Sequence, residues 1–238
     1  MLLSNKIALI TGGAKGIGRG IALKFADEGC DIAIADISLT DAKETQVEVK
    51  KKGREALVIE CDVTDSKRIQ DMVNQVISKF GKIDILVNNA GTLFTVADSS
   101  LNSVADIPEE TWDKLVAINL KGVFLCSKIV VPHMKEKRYG KIINTSSLGA
   151  IHPPAVAPHY NAAKAGVLGL TYDMACELGP FNITVNAILP GLIRTALYEP
   201  ILASASDQEK DGFFSKISKT IPLQRAGSAE DIAGAALF

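Results

Sequence analysis

A short apolar strand, Lys6 to Ile10, runs directly into TGGAKGIG (Thr11 to Gly18) and then into an amphipathic helix from about Ile17 to Glu28. A glycine-rich run alone says little. Between a strand and a helix it becomes the opening of a βαβ unit, with glycines where the strand hands over to a helix N-terminus. Gly12, Gly16 and Gly18 let the backbone approach a pyrophosphate closely, and exposed N–H groups and the helix dipole favour its negative charge. The turn is shaped for a dinucleotide.

The unit repeats. Asp31 to Ala35 is a second strand, and Asp36 closes it eighteen residues after Gly18. A carboxylate there accepts both hydroxyls of an adenosine ribose and repels a 2′-phosphate, which favours NAD. Thr40 to Lys52 is a polar helix stopped by Gly53, and Ala56 to Glu60 a third strand leading to Cys61 and Asp62-Val63. Ser66 to Phe80 places Ile69, Met72, Val73, Val76, Ile77 and Phe80 on one stripe and stops at Gly81. Ile83 to Val87 is continuously apolar, as in a parallel sheet covered on both faces. Repeated βα units specify an α/β fold, a Rossmann-type doubly wound parallel sheet with helices on both faces. At 238 residues with no linker-like segment, the chain is expected to form a single domain over residues 1–238.

Composition excludes several functions. A net charge of −1 gives no general attraction to nucleic acid or to an anionic membrane. No uninterrupted apolar run reaches membrane-spanning length and no signal peptide opens the chain, so a cytoplasmic location is expected. Cys30, Cys61, Cys126 and Cys176 are widely spaced, and neither they nor His133, His152 and His159 show metal-ligand spacing. Buried thiols and no metal are expected.

The second half carries the chemistry. From Pro108 to Lys137 the pattern is helical, with Asn119 inside it, where an Asn is mildly unfavourable. Lys141 to Thr145 reads as a strand, Ser147 lies just past its end, and Tyr160 and Lys164 sit four apart in an Ala-rich helical run. That spacing puts phenol and ammonium on one helix face. A cation at roughly 4 Å with an effective dielectric near 20 contributes about 4 kcal/mol in favour of a phenolate, enough to make a tyrosine a working base. Thr184 to Leu189 is a sixth strand followed by PGLIRT (Pro190 to Thr195), and Ala196 to Thr220 reads as irregular, a mobile lid within about 192–220.

TGGAKGIG, Asp62-Val63, NNAG (Asn88 to Gly91), Asn119, Ser147, YNAAK (Tyr160 to Lys164) and PGLIRT, in this order across nearly the whole chain, resemble the classical short-chain dehydrogenase/reductase family. The resemblance implies Asn119, Ser147, Tyr160 and Lys164 as the catalytic set. Tyr160 acts as general acid/base, Lys164 adjusts it and holds a ribose, Ser147 binds the substrate oxygen, and Asn119 holds a water beside Lys164. Ser146 stays open as the alternative to Ser147. The cofactor positions implied are Gly12, Lys15, Gly16, Ile17, Gly18, Asp36, Asp62, Val63, Asn89, Ala90, Gly91, Tyr160, Lys164, Pro190, Gly191, Ile193 and Thr195.

In the family a basic residue at the place of Lys15 often accompanies NADP. Asp36 outweighs it because it would meet the ribose itself. The expected activity is hydride transfer between NAD(H) and a secondary alcohol or ketone. An NADP-linked carbonyl reductase and a non-catalytic NAD(H)-binding regulator stay open as alternatives. Leu93, Phe94, Leu148, Ile151, His152, Pro153, Pro154, Leu192 and Tyr198 are candidate substrate positions, and their mostly apolar character suits a hydrophobic body. The helices with Asn119 and Tyr160 carry apolar residues beyond one stripe, which with the resemblance implies a homotetramer. Ser228 to Phe238 reads as a capped helix. In the family a further edge strand follows it, so the natural polypeptide is expected to continue roughly 10 to 25 residues.

Overall fold

The computed structural model describes residues 1–93, 103–153, 157–198, 202 and 205–238. Six parallel strands form one sheet: β1 (Ile7–Thr11), β2 (Asp31–Asp36), β3 (Ala56–Glu60), β4 (Ile85–Asn88), β5 (Gly140–Thr145) and β6 (Ile183–Ile188). Their order is β3-β2-β1-β4-β5-β6, with Leu9 opposite Ala33 on one side and Leu86 on the other. The winding direction reverses between β1 and β4, and this opens a crevice at the carboxyl ends of those two strands.

Period-two alternation divides β1 between two cores. Ile7 and Leu9 join a cluster with α3 (Ser66–Phe80), α5 (Gly122–Lys137) and α6 (Pro158–Leu178). Ala8 and Ile10 join another with α1 (Gly16–Asp27), α2 (Leu39–Lys51) and the C-terminal helix Ala229–Leu237. Burial on both faces explains why these strands are uninterruptedly apolar. The Rossmann-type doubly wound sheet read from the sequence is the fold of this chain. β3 and α3 have the expected bounds, with Asp65 capping α3 and Gly81 ending it at φ 77°.

Two elements differ from expectation. The helix expected from Pro108 to Lys137 is three pieces: α4 (Glu109–Val116), a π-helical turn (Ala117–Lys121) and α5. This run is long and apolar enough to cross a membrane by length and composition, yet 44% of its apolar window is buried inside the fold. The second difference is α7 (Asp207–Ser218), in a stretch expected to be irregular. Ser206 and Glu209 form a capping box that starts it, and Phe214 is buried beneath it. The C-terminal helix, α8 (Ala229–Leu237), starts with a second such box, Ser228 with Asp231.

Cys30, Cys61 and Cys126 are buried free thiols, whereas Cys176, expected to be buried with them, is exposed. Burial pushes the thiols of Cys30 and Cys61 up to about 12 and about 11 and raises that of Cys126 too. They stay protonated and inert.

Candidate active site

The glycine turn is held from all sides. The Gly12 and Gly13 N–H groups donate to Ala35 O, and Ala14 N–H donates to Asp36 Oδ2 at 3.0 Å. Asn89 Nδ2 donates to Gly12 O at 2.9 Å, and the Asn89 and Ala90 N–H groups both donate to Thr11 Oγ1. Asn89, expected among the cofactor positions, therefore uses its amide to fasten the turn. A Cβ on Gly18 would stand 2.1 Å from Gly12 O, so only glycine lets the first turn of α1 close over β1. Gly12 and Gly16 have φ of +64° and +54°, the left-handed region that glycine enters without strain. The result is a backbone concavity at a helix N-terminus, the fit a pyrophosphate requires.

At the end of β2, Asp36 also accepts from Ser38 N–H at 3.0 Å. Beside it lies a cavity of about 250 Å³ lined by Ile37, Glu60, Asp62, Asp65 and Arg68. Ile37 is 73% exposed and is the apolar surface on which a flat base could stack. Sequence reasoning missed it, although an apolar residue directly after the strand-closing Asp was the available signal. Asp62 Oδ1 accepts from Thr64 N–H and Oγ1, while Val63 packs against Gly122.

The four expected catalytic residues lie on elements around Gly91. Asn119 is fully buried in the π turn, with Nδ2 donating to Thr92 O (2.8 Å) and Leu115 O (3.2 Å), and Oδ1 accepting from Thr92 N–H. A π turn disrupts the regular i to i−4 ladder, so the amide of Asn119 finds backbone partners inside a helix. A Cβ on Gly91 would be 2.7 Å from Asn119 Oδ1 and 3.3 Å from Lys164 Nζ, so glycine there keeps space between them. Lys164 is buried and donates to Thr145 O at 2.8 Å, and burial pushes its ammonium down to about 8.

Ser147 begins a short 3-10 turn (Leu148–Ala150), accepting from Gly149 N–H, and its hydroxyl favours ionisation of the Tyr160 phenol. Ser146, the alternative, is buried and donates to Lys164 O at 2.8 Å, so its hydroxyl serves the packing of α6. Behind them, Asn88, Ser127, Asn144 and Thr171 form a buried hydrogen-bonded ladder linking β4, β5, α5 and α6.

The electrostatics differ from expectation. Tyr160 is pushed up to about 12 by burial; the Ser147 hydroxyl acts in the opposite sense, and the Tyr198 phenol adds to the rise. Lys164 Nζ lies 5.8 Å from the Tyr160 ring centre, with a proton committed to the Thr145 carbonyl. At Tyr160 the cost of desolvating a phenolate decides the direction.

Pro190 to Thr195 closes the groove. Leu148 N–H donates to Pro190 O, Leu148 lies 3.8 Å from a Cβ placed on Gly191, and Thr195 lies 3.3 Å from one placed on Gly16. Ile193 bridges to Gly227, and Gly227 N–H donates to Leu192 O. Leu93, Leu192 and Tyr198 are half-buried, whereas Leu148, Ile151, His152 and Pro153 are exposed. Phe94 and Pro154 lie outside the described residues. Tyr198 packs with Phe213 (6.0 Å between ring centres) and Phe214 (5.7 Å) of α7. Arg194 lies over Phe214 and pairs with Asp211. Among the described residues no cluster of His, Cys, Asp or Glu could hold a metal ion.

The short chain dehydrogenase family profile matches residues 6–205. The 3-oxoacyl-[acyl-carrier-protein] reductase FabG of Staphylococcus epidermidis is 41% identical over 236 residues, 98% of this chain and 91% of that protein. The (2S)-[(R)-hydroxy(phenyl)methyl]succinyl-CoA dehydrogenase subunit BbsD of Thauera aromatica is 37% identical over 238 residues, 100% of this chain and 90% of that protein. Among solved structures, levodione reductase superposes with a TM-score of 0.92 at 32% identity, covering 99% of this chain and 90% of that one. NAD+-bound xylitol dehydrogenase gives 0.89 at 31%, covering 99% and 92%. The chain is a member of the short chain dehydrogenase family, oxidoreductases built around a nicotinamide cofactor.

Proposed function

We propose that this protein is an NAD(H)-dependent oxidoreductase that interconverts a secondary alcohol and a ketone. The observation that carries the reading is the approach of Asn119 Oδ1 and the buried Lys164 Nζ to Gly91, with Tyr160 one helical turn before Lys164 and its ionisation favoured by the Ser147 hydroxyl. The nicotinamide supplies or receives the hydride. Gly12, Gly16, Ile17 and Gly18 hold the pyrophosphate, Asp36 the adenosine ribose, and Ile37 with Asp62 and Val63 the adenine. Gly91, Lys164 and Thr195 flank the nicotinamide end, with Asn89, Ala90, Pro190, Gly191 and Ile193 shaping its walls.

In reduction, Ser147 Oγ donates to the substrate oxygen and Tyr160 Oη delivers the proton. In oxidation the Tyr160 phenolate, stabilised by Lys164, takes the hydroxyl proton, which then leaves towards solvent by way of Lys164 beside Asn119. Burial keeps Tyr160 protonated at neutral pH, which suits the reductive direction. Leu93, Leu148, His152, Leu192 and Tyr198 border the substrate, and α7 acts as its lid.

Trp112 (41% exposed), Phe124 (45%) and Tyr172 (72%) on the outer faces of α4, α5 and α6 suit burial against further copies in a homotetramer. A monomeric mass by light scattering at micromolar concentration excludes that assembly.

The likeness to FabG and BbsD supports a second reading of the substrate, a 3-oxoacyl thioester. The deciding assay follows NADH and NADPH fluorescence with cyclic ketones, polyols and 3-oxoacyl thioesters, in both directions. Turnover with none of these while NADH still binds rejects catalysis in favour of a binding role. Faster turnover with NADPH rejects the cofactor assignment.

A further inference from the structure

Lys15 is the residue of the glycine turn best placed to attract a 2′-phosphate, and the structure engages it with a carboxylate. Its Nζ lies 3.1 Å from Asp41 Oδ2. That oxygen also accepts from Ser38 Oγ at 2.6 Å, and Ser38 N–H donates to Asp36 Oδ1. Asp36 Oδ2 in turn accepts from Ala14 N–H, so the contacts close a ring from Lys15 through Asp41, Ser38 and Asp36 back to the residue beside Lys15. Asp36 was the expected determinant at the ribose; Asp41 lies five residues on, on another element.

The ring belongs to a larger pattern on α2. Asp41, Thr45 and Glu48 are spaced i, i+4 and i+7, which puts them on one helix face. Thr45 Oγ1 donates to Ala14 O at 2.8 Å, and Glu48 holds Arg19 of α1 through both carboxylate oxygens, at 2.6 and 2.7 Å. Glu44, on the same side of α2, lines a cavity of about 520 Å³ together with Lys15, Arg19 and Glu48. The two cations nearest the turn are thus each engaged by an acid of α2. A phosphate entering here would have to compete with Asp41 for Lys15 and would face Glu44 and Glu48 as well.

We infer that Asp41 is a specificity-determining residue for the cofactor: by engaging Lys15 through the Ser38–Asp36 ring, it withdraws that cation from the ribose and sets the site against a 2′-phosphate. The inference rests on the NAD(H) reading above and adds the residue by which Lys15 is overridden. Ser38 and Asp41 tie the main chain after β2 to the glycine turn through the protein's own contacts, so the selection is built into the fold.

The test measures dissociation constants of NADH and NADPH by nicotinamide fluorescence, without substrate, for the wild type, Asp41→Asn and Asp41→Asn/Lys15→Ala. Asn keeps the size and the hydrogen bond to Ser38 while removing the charge. The NADPH-to-NADH affinity ratio should rise at least ~5-fold in Asp41→Asn, fade at high salt, and return towards wild type in the double variant. An unchanged ratio in Asp41→Asn overturns the inference. So does a gain that survives loss of Lys15, since Asp41 would then act by repulsion alone. The wild-type ratio reads the NAD(H) proposal separately: a wild type preferring NADPH defeats that proposal, while the response to Asp41→Asn still decides the role of Asp41.

Discussion

The glycine turn after β1 and the Pro190–Gly227 segment face each other across one groove, and different forces hold them. The turn is fixed by main-chain bonds and short polar side chains: Ala35 O, Asp36, Thr11, Thr45 and Asn89 all reach it. Among the described residues, the opposite wall is tied by main-chain bonds only at its ends, at Pro190 and between 192–194 and Gly227, and its middle relies on the Arg194–Asp211 pair and an aromatic cluster, Tyr198 with Phe213 and Phe214. Directional bonds allow one geometry. Ring packing allows neighbouring ones at little cost, because dispersion contacts are individually weak and exchangeable. A wall that must present the same concavity to the same cofactor is built the first way. A wall that admits substrate and releases product is suited by the second.

Substitutions should separate the two walls. Tyr160→Phe is expected to lower turnover about 10³-fold or more with NADH affinity within about threefold, since only the proton path is lost. Retention of a tenth of the wild-type rate would falsify the assignment. Gly18→Ala tests the rigid wall: its Cβ would be 2.1 Å from Gly12 O, and overpacking against backbone should cost about 3 kcal/mol. Its melting temperature and NADH binding should both fall, and a variant that binds NADH normally shows that the turn yields. Asp36→Ala should narrow any preference for NAD over NADP about tenfold, roughly 1.4 kcal/mol. The smallest effect belongs to the aromatic wall. Tyr198→Phe keeps the ring and should change substrate KM only a few-fold while leaving NADH binding alone, and an equal loss of NADH affinity erases the distinction between the walls.

The pH dependence sharpens the comparison at the point where the walls meet. Burial raises Tyr160 to about 12, so the phenol holds its proton through neutrality. Reduction uses that protonated form and should be flat near neutral pH. Oxidation uses the phenolate and should climb with pH. An oxidation rate that stays level between about pH 6 and about pH 9, with hydride transfer rate-limiting, contradicts this role for Tyr160.

The rigid wall was the legible one. It belongs to the repeated βα units, short, strongly periodic and stopped by glycines, from which the sheet could be inferred and another member, Ser66–Phe80, placed to the residue. Local geometry put Asp36 at a strand end and Tyr160 and Lys164 on one helix face, whereas Ser147 was singled out from Ser146 by the family resemblance. What depends on contacts between distant residues could not be read. Asp41 gains meaning only because α2 packs beside the glycine turn, and the rise in Tyr160 comes from burial that no spacing reveals. The helix at Asp207–Ser218 is a different case: Ser206 and Glu209 announced it, but aromatic residues scattered among charges masked the pattern.

The π turn around Asn119 has a consequence far from the groove. Trp112 and Phe124 are twelve residues apart, and in an unbroken α-helix, at about 100° per residue, they would point about 120° away from each other. The π turn absorbs one residue, which brings the offset to about 20°. Trp112 and Phe124, both partly exposed, then fall on one outward line. Deleting a single residue from 117–121 would put the outer face of α4 out of phase with that of α5, so the insertion that gives Asn119 its backbone partners also aligns the apolar surface on the far side of the same rod.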